Sequence, residues 1–438
     1  MTVLPLPDVL RERVVRPQDP SYARLRSTYT AVASPALVVM PQNATEAAAA
    51  VDHARETGLP VSVRSGGHGL SGRSSNNGGI VIDLSAMRSV EVIDPGARIV
   101  RIEPGARWAD VAAALAPHGL AISSGDHGNV GVGGLATAGG VGWLVRAYGL
   151  TVDHVRAADI VLADGTRTRA DHDQNPELLW AVRGAGDRVG IVTAFEIDAM
   201  PLSTLGIAQI TVTADRRGAT LRRWSEYLAQ APDALTVNGI VLPHGPDHVL
   251  QLTAVVADDN PDRIRALVEP LTAIGGRLLD VRARLAPYTA LLPREHRHGN
   301  HGQQPSTTTN ALLPALTEAG ARALMDVAAH PGGPLIQLRS VGGAVNRTGP
   351  ADTAYAHRHQ QVLAVFSTFP PAGGAELDAA VQALEPFADG AYRNFESRPD
   401  ARTFRRAFPG PVGDRVLELA ARYDPEGLFQ RVQATADR

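Results

Sequence analysis

Residues able to do chemistry gather in a few short stretches of this 438-residue chain. The first is 62-SVRSGGHGLSG-72, where His68 is the one bulky, titratable side chain in a run of glycines behind the strand-like 60-PVSVR-64. Successive glycines let backbone N–H groups converge on a phosphate or pyrophosphate without side chains in the way. Taken alone, Gly-Gly-His reads more simply as a tight turn with a hydrogen-bonding histidine. The second stretch, 131-GVGGLA-136, scans as a dinucleotide fingerprint with Asp153 about twenty residues on. Its context argues against that reading: a Rossmann loop follows an apolar strand directly, whereas this one follows the polar 123-SSGDHGNV-130. The third, 294-REHRHGNHGQQPSTTTN-310, holds His296, His298 and His301 but lacks a supporting carboxylate pattern, so no metal site is expected. It reads instead as a loop leading to a pocket strand, with Gln303 and Gln304 placed to reach a substrate. In 335-LIQLRSV-341 the period of two puts Gln337 and Arg339 on one face, a further pair of candidate substrate residues.

The elements that must hold these residues follow from periodicity and caps. The stretch 36-ALVVMP-41 reads as a strand, and 43-NATEAAAAVDHARETG-58 as a helix capped by Asn43 with Glu46 three residues on and stopped by Gly58. Strands are expected at 60–64, 79–87, 158–165 and 190–198, and 97–119 reads as strand, turn and amphipathic helix. From about residue 203 the texture changes. Longer strands (206–214, 248–257, 333–343) alternate with helical runs (218–231, 316–330), implying a separate sheet covered by helices. The stretch 413–429 reads as a helix and turn that return to the first unit.

An apolar fraction of 44% with 20% charged residues is the profile of a globular protein. A net charge of -3 gives no electrostatic reason to expect nucleic acid or an anionic membrane, so a small molecule is the expected partner. The absence of cysteine excludes disulfides, thiolate metal sites and cysteine nucleophiles. No apolar run reaches membrane-spanning length and no secretory pattern opens the chain, so a cytoplasmic location is expected.

Both glycine loops, in this order, have a precedent. With 177-ELLWAVRGAGDRVGIVT-193, 342-GGAVNRTGPADTAYAHR-358, 391-AYRNF-395 and 423-YDPEGLF-429, they make the chain resemble the FAD-linked oxidases of the vanillyl-alcohol-oxidase type, in the berberine-bridge-enzyme-like branch. The resemblance implies an α+β, two-domain PCMH-type FAD-binding fold with an inserted substrate domain of antiparallel sheet covered by helices. The FAD-binding domain would span 1–202, the substrate-binding domain 203–387, and 388–438 would return to the first.

In that family the histidine of the first motif is bonded covalently to the flavin's methyl carbon, which here is His68. Arg64, Ser65, Gly66, Gly67, Gly69 and Gly72 would form the pyrophosphate loop. Val130, Gly131, Gly133 and Gly134 would line the isoalloxazine edge, and Gly190 and Ile191 would approach the adenine half. Where many relatives place a second, cysteine tether this chain has His127, so FAD is expected to be singly attached, as in the hydroxynicotine oxidases. A Tyr-x-Asn segment supplies the base in several alcohol-oxidising relatives; here it is Tyr392 and Asn394. At 188–189 the relatives' Asn-Phe is replaced by Arg188-Val189.

The function these features imply is an FAD-dependent oxidase that takes hydride from a C–H bearing an alcohol or amine of a natural-product-like small molecule. Dioxygen is the expected acceptor, oxidative cyclisation a possible outcome, and the oligomeric state is left open. The competing readings are amine oxidation of the hydroxynicotine-oxidase kind, a non-redox cyclisation or rearrangement with flavin as scaffold, and a flavin-binding protein without chemistry.

Overall fold

A parallel strand–helix–strand unit carries the first glycine loop. The structure, a computed structural model, describes residues 5–293 and 305–429. Strand Leu37–Val39 leads to helix Ala44–Thr57, where the Asn43 side chain accepts from the Glu46 N–H at 3.0 Å and the Glu46 carboxylate accepts from the Gln42 N–H at 2.8 Å. Gly58 ends the helix at φ 66°, a left-handed conformation glycine adopts without a Cβ clash. Strands Leu37–Val39 and Val61–Arg64 both pair parallel with Ile80–Asp83, and Val14–Val15 adds an antiparallel edge. Val39, Ala47, Val51, Ile80 and Ile82 close this layer onto its helix.

A second sheet is antiparallel, in the spatial order Val90–Asp94, Ile99–Ile102, Ile191–Asp198, Val155–Val161, Arg167–Ala170. Helices Trp108–Leu115, Pro176–Ala185 and Pro411–Tyr423 contribute to its core through Trp108, Leu115, Leu178 and Leu419.

The third sheet has seven strands, all paired antiparallel, in the order Leu278–Pro287, Thr204–Ala214, Asp247–Val256, Leu235–His244, Leu335–Ser340, Val362–Thr368, Thr307–Leu313. Alternation along the strands gives it two different faces. Ala311, Leu313, Ala364 and Phe366 pack with Leu221 and Trp224 of helix Ala219–Gln230 and Leu324 of helix Glu318–Ala329. Leu312, Leu363 and Val365 face the opposite way, onto Val141, Val145, Leu150 and Tyr392. The antiparallel sheet covered by helices is therefore present, and its uncovered face lies over the segment behind the second glycine loop. Buried Arg146 ties the two together, donating to the carbonyls of Leu235 (2.8 Å), Leu228 (2.9 Å) and Val341 (3.0 Å).

Four of these strands escape the sequence reading. Leu278–Pro287 carries a legible signal, alternating apolar and charged residues over 279–285, and was passed over. For the other three there is a physical reason, since Val362–Thr368 is a continuous apolar run without period and neither Leu235–His244 nor Thr307–Leu313 alternates cleanly.

Candidate active site

The two glycine loops pack backbone to backbone, and this accounts for glycine at two positions. A Cβ on Gly66 would stand 2.3 Å from the Gly131 nitrogen, and one on Gly131 would stand 2.3 Å from the Gly66 nitrogen. Arg107, which sequence reasoning passed over, clamps them by donating to the carbonyls of Gly66 (2.8 Å) and Asn129 (2.6 Å). Ser65 donates to the Pro104 carbonyl at 2.5 Å and accepts from the Gly133 N–H at 3.3 Å. The second loop opens only the five-residue helix Val132–Ala136, and the Val132 and Gly133 N–H groups donate to the carbonyls of Ala106 and Pro104. Those donors are occupied by protein, so this loop lacks the free helix N-terminus of a dinucleotide fingerprint. Asp153 is likewise engaged, in a buried pair with Arg358 at 2.7 and 2.9 Å.

A cavity of about 430 Å³ runs along both loops. Ser65, Gly66, Gly67, His68, Gly69, His127, Val130, Gly131, Gly133, Gly134, Gly190, Ile191, Tyr392 and Asn394 all line it. Arg64 does not. Its guanidinium is 4% exposed and holds Asp83 at 2.7 Å and the carbonyls of Leu25 (2.5 Å) and Ser27 (3.3 Å), bracing the loop from behind. Gly72 is also outside the lining; it turns the chain at φ 70°.

His68 stacks on Tyr29, with ring centroids 4.8 Å apart and planes at 15°, while the His127 ring lies 5.6 Å away on a tilt. The Tyr29 N–H donates to the Gly67 carbonyl at 2.9 Å, which holds the loop and its stacking partner together. His127 is thus a close neighbour of His68.

Tyr392 arrives from the far end of the chain. The turn that carries it is held by buried Asn310 of strand Thr307–Leu313: the Tyr392 N–H donates to Asn310 Oδ1 at 2.7 Å, and Asn310 Nδ2 donates to the carbonyls of Tyr392 (2.9 Å) and Phe395 (3.0 Å). The Tyr392 hydroxyl oxygen accepts from the Gly140 N–H and from Asn394 Nδ2, each at 3.0 Å. Burial raises its pKa and outweighs these two donors, so the phenol keeps its proton above the ordinary tyrosine range.

The same segment rests on His357, whose Nε2 bonds the Arg406 carbonyl at 2.9 Å and whose ring fills the space a side chain at 390 would need. Burial pulls this imidazole down to about 4 from 6.5, so the folded ring is neutral. Between those values the unfolded chain takes up a proton that the folded chain does not. Stability is therefore expected to fall as pH drops from 6.5 to about 4, by about 3 kcal/mol. Denaturant unfolding across that range checks this, and His357→Gln should flatten the slope.

One wall of the cavity carries excess positive charge. Arg73, Arg188 and Arg393 line it around Asp187, which pairs with Arg393, while the cavity's other carboxylates are engaged elsewhere, Asp126 by Arg339, Glu396 by the Thr309 hydroxyl and Asp400 by the Thr403 N–H. Arg188 lies over the Phe404 ring at 4.7 Å. Burial lowers the Arg73 pKa to about 10, with Asp187 opposing and the other two arginines adding to the fall. Burial raises the Asp187 pKa, but Arg393, Arg188 and Arg73 together hold it below the usual carboxylate range. Arg73 Nε and Ser74 Oγ are buried without a protein partner. At Gly69 and Gly134 an added Cβ would meet nothing within 4 Å. Unpartnered donors, surplus cationic charge and glycine-bounded open space suit a long, doubly anionic ligand such as FAD.

Gln337 and Arg339 share a face, with Arg339 Nη2 donating to Gln337 Oε1 at 3.2 Å. That face is turned to the cavity: Arg339 pairs with Asp126 and lies 4.7 Å over the Phe395 ring, and both of those residues line the cavity. Asp126 went unnoticed in sequence because a lone acid in a Gly/Asp/His turn looks like turn chemistry. Gln303 and Gln304, with His296, His298 and His301, lie outside the described residues. Among the described residues no cluster of His, Asp or Glu has the makings of a metal site, and no helix is long and apolar enough to cross a membrane.

Comparison with known proteins agrees with this geometry. Residues 35–171 match the FAD binding domain family. An uncharacterised FAD-linked oxidoreductase, YgaK of Bacillus subtilis, is 27% identical over 444 residues, covering 97% of each chain. The structure of 6-hydroxy-D-nicotine oxidase from Arthrobacter nicotinovorans superposes with a TM-score of 0.84 at 25% identity over 98% of each chain. Glucooligosaccharide oxidase of Acremonium strictum shares the fold, with a TM-score of 0.86 at 23% identity over 96% of this chain and 95% of that one. The chain is an FAD-linked oxidoreductase built on the PCMH-type FAD-binding fold.

Proposed function

We propose that this enzyme is an oxidase of small, natural-product-like molecules that holds FAD through one covalent bond, at His68, and removes hydride from a C–H bearing an alcohol or amine. The observation that carries the reading is that one cavity joins the His68 loop to the Tyr392–Asn394 pair. In this reading the backbone of Ser65, Gly66, Gly67 and Gly69 takes the pyrophosphate, with Arg73, Arg188 and Arg393 supplying countercharge. Val130, Gly131, Gly133 and Gly134 border the ring system, and Gly190 and Ile191 approach the adenine half. Arg64 and Gly72 shape the loop. Bound there, FAD supplies a hydride acceptor at N5 and returns the electrons to dioxygen as hydrogen peroxide.

The chain's own part is to orient the substrate and move one proton. In its deprotonated form Tyr392 receives the proton from the substrate heteroatom, and the Gly140 N–H and Asn394 Nδ2 stabilise the phenolate oxygen that accepts it. Arg339, fixed by Asp126, and Gln337 present polar groups to the substrate from the sheet above. The division of labour follows the chain: residues 1–202 and 388–438 form the flavin unit and 203–387 the substrate unit, a reading supported by a seven-stranded sheet drawn wholly from 204–368.

The test is a screen of alcohols and amines with simultaneous detection of peroxide and flavin absorbance. A true substrate should bleach the flavin under anaerobic conditions and yield peroxide in air. Product formed while the flavin stays oxidised would instead establish non-redox chemistry.

A further inference from the structure

The seven-stranded sheet has one edge unlike the rest of the surface. Among the described residues strand Leu278–Pro287 pairs with Thr204–Ala214 on one side only, and all but one of its ten residues are exposed. Among the described residues nine large hydrophobic side chains are exposed, and four of them, Leu278, Leu279, Val281 and Leu285, belong to this strand. The other five are scattered over the chain. Alternation puts Val281, Ala283 and Leu285 on the helix-bearing side, beside Ile210, Ala208 and Gly206, and Asp280, Arg282 and Arg284 on the opposite side. Such an edge, regular from Asp280 to Ala286 and irregular only where Leu279 is passed over in the pairing with Thr211 and Val212, offers backbone donors and acceptors to another strand.

We propose that this edge pairs with the same edge of a second copy of the chain, antiparallel about a twofold axis through Val281, so that the two seven-stranded sheets become one. The charge pattern selects both the partner and the register. Antiparallel self-pairing about an axis normal to the sheet keeps each side chain on its face, so a residue always lies on the axis. With Val281 there, Asp280 faces Arg282 of the second copy, twice. An axis through Asp280 sets that acid against itself. An axis through Arg282 sets two arginines together, and one through Ala283 sets Arg282 against Arg284. Only the Val281 register joins opposite charges within 280–284 without opposing like ones. Asp280 and Arg282 already pair along the strand at 3.2 Å, which holds both side chains on the pairing face.

The mass of the flavin-loaded protein in solution, followed by sedimentation through a dilution series, tests this. Twice the 46.2 kDa chain mass is expected, giving way to monomer on dilution. Asp280→Arg should abolish the dimer while leaving the flavin spectrum unchanged, and Asp280→Arg with Arg282→Asp should restore it. Val281→Cys, in a chain with no cysteine of its own, should give a disulfide-linked dimer on mild oxidation, whereas the exposed control Leu417→Cys should not. A monomer at every concentration overturns the proposal, as does a dimer indifferent to Asp280→Arg. A charge swap that fails to restore association, or a Val281→Cys chain that never cross-links, overturns the register.

Discussion

His68→Ala is expected to convert a flavin that stays with the acid-denatured polypeptide into one that is wholly released. The ring lies between Tyr29 and His127 on a loop whose remaining residues are small, and a histidine at 68 is the attachment residue of the family the chain resembles. His127→Ala is the discriminating control. Its ring is close enough to be confused with His68 in a sequence argument, but it should leave the flavin attached. Loss of covalent flavin from His127→Ala rather than from His68→Ala would reverse the assignment. Removing the His68 ring also takes away its stack on Tyr29, so a stability loss of about 0.5–1.5 kcal/mol should accompany the chemical effect. Unfolding of the two proteins produced without flavin, and so never loaded with it, separates that loss from any contribution of bound FAD.

The second large effect is expected from Tyr392→Phe. The substitution keeps the aromatic ring, which contacts Tyr355 at 6.1 Å and Phe395 at 5.2 Å edge to face, and removes only the oxygen. If that oxygen takes the substrate proton, kcat should fall by about 10²–10⁴ with the flavin still bound. The wild-type pH profile carries an independent sign. Burial holds the phenol above its ordinary value, so the proton-accepting form grows through the alkaline range. Turnover should climb with pH up to and beyond about 10, and the climb should vanish in Tyr392→Phe. A variant within a few-fold of wild type with an unchanged profile would leave Tyr392 as a packed aromatic. Some stability should be lost in either case, because the Gly140 N–H and Asn394 Nδ2 lose their acceptor, at about 1–3 kcal/mol each.

The glycine loops show how far the sequence could be read. Their order and spacing were enough to suggest an FAD enzyme and to reject a Rossmann site, and the short helix Val132–Ala136 with its occupied N–H groups explains why that rejection holds. The reason for individual glycines was not legible. Gly66 and Gly131 are small because each needs the other's backbone close by, a requirement linking residues 65 positions apart. Arg64 shows the converse. It belongs to the motif by position, but its guanidinium faces Asp83 and two backbone carbonyls, away from the cavity.

Local order was set by the sequence itself: the capped helix at 44–57, the glycine turns, the change of texture near residue 203 and the lack of any thiol to serve as a second tether. These depend on near neighbours or on composition, which one chain displays directly. What only the tertiary structure decided is convergence. Asn310 holds the Tyr392 turn from across the sheet, Arg107 locks two loops together, and Asp126 fixes Arg339 at the cavity. It also decided that strand Leu278–Pro287 ends the sheet with its apolar side exposed. Such pairings join residues tens to hundreds of positions apart, and nothing in the local pattern of either partner encodes the other.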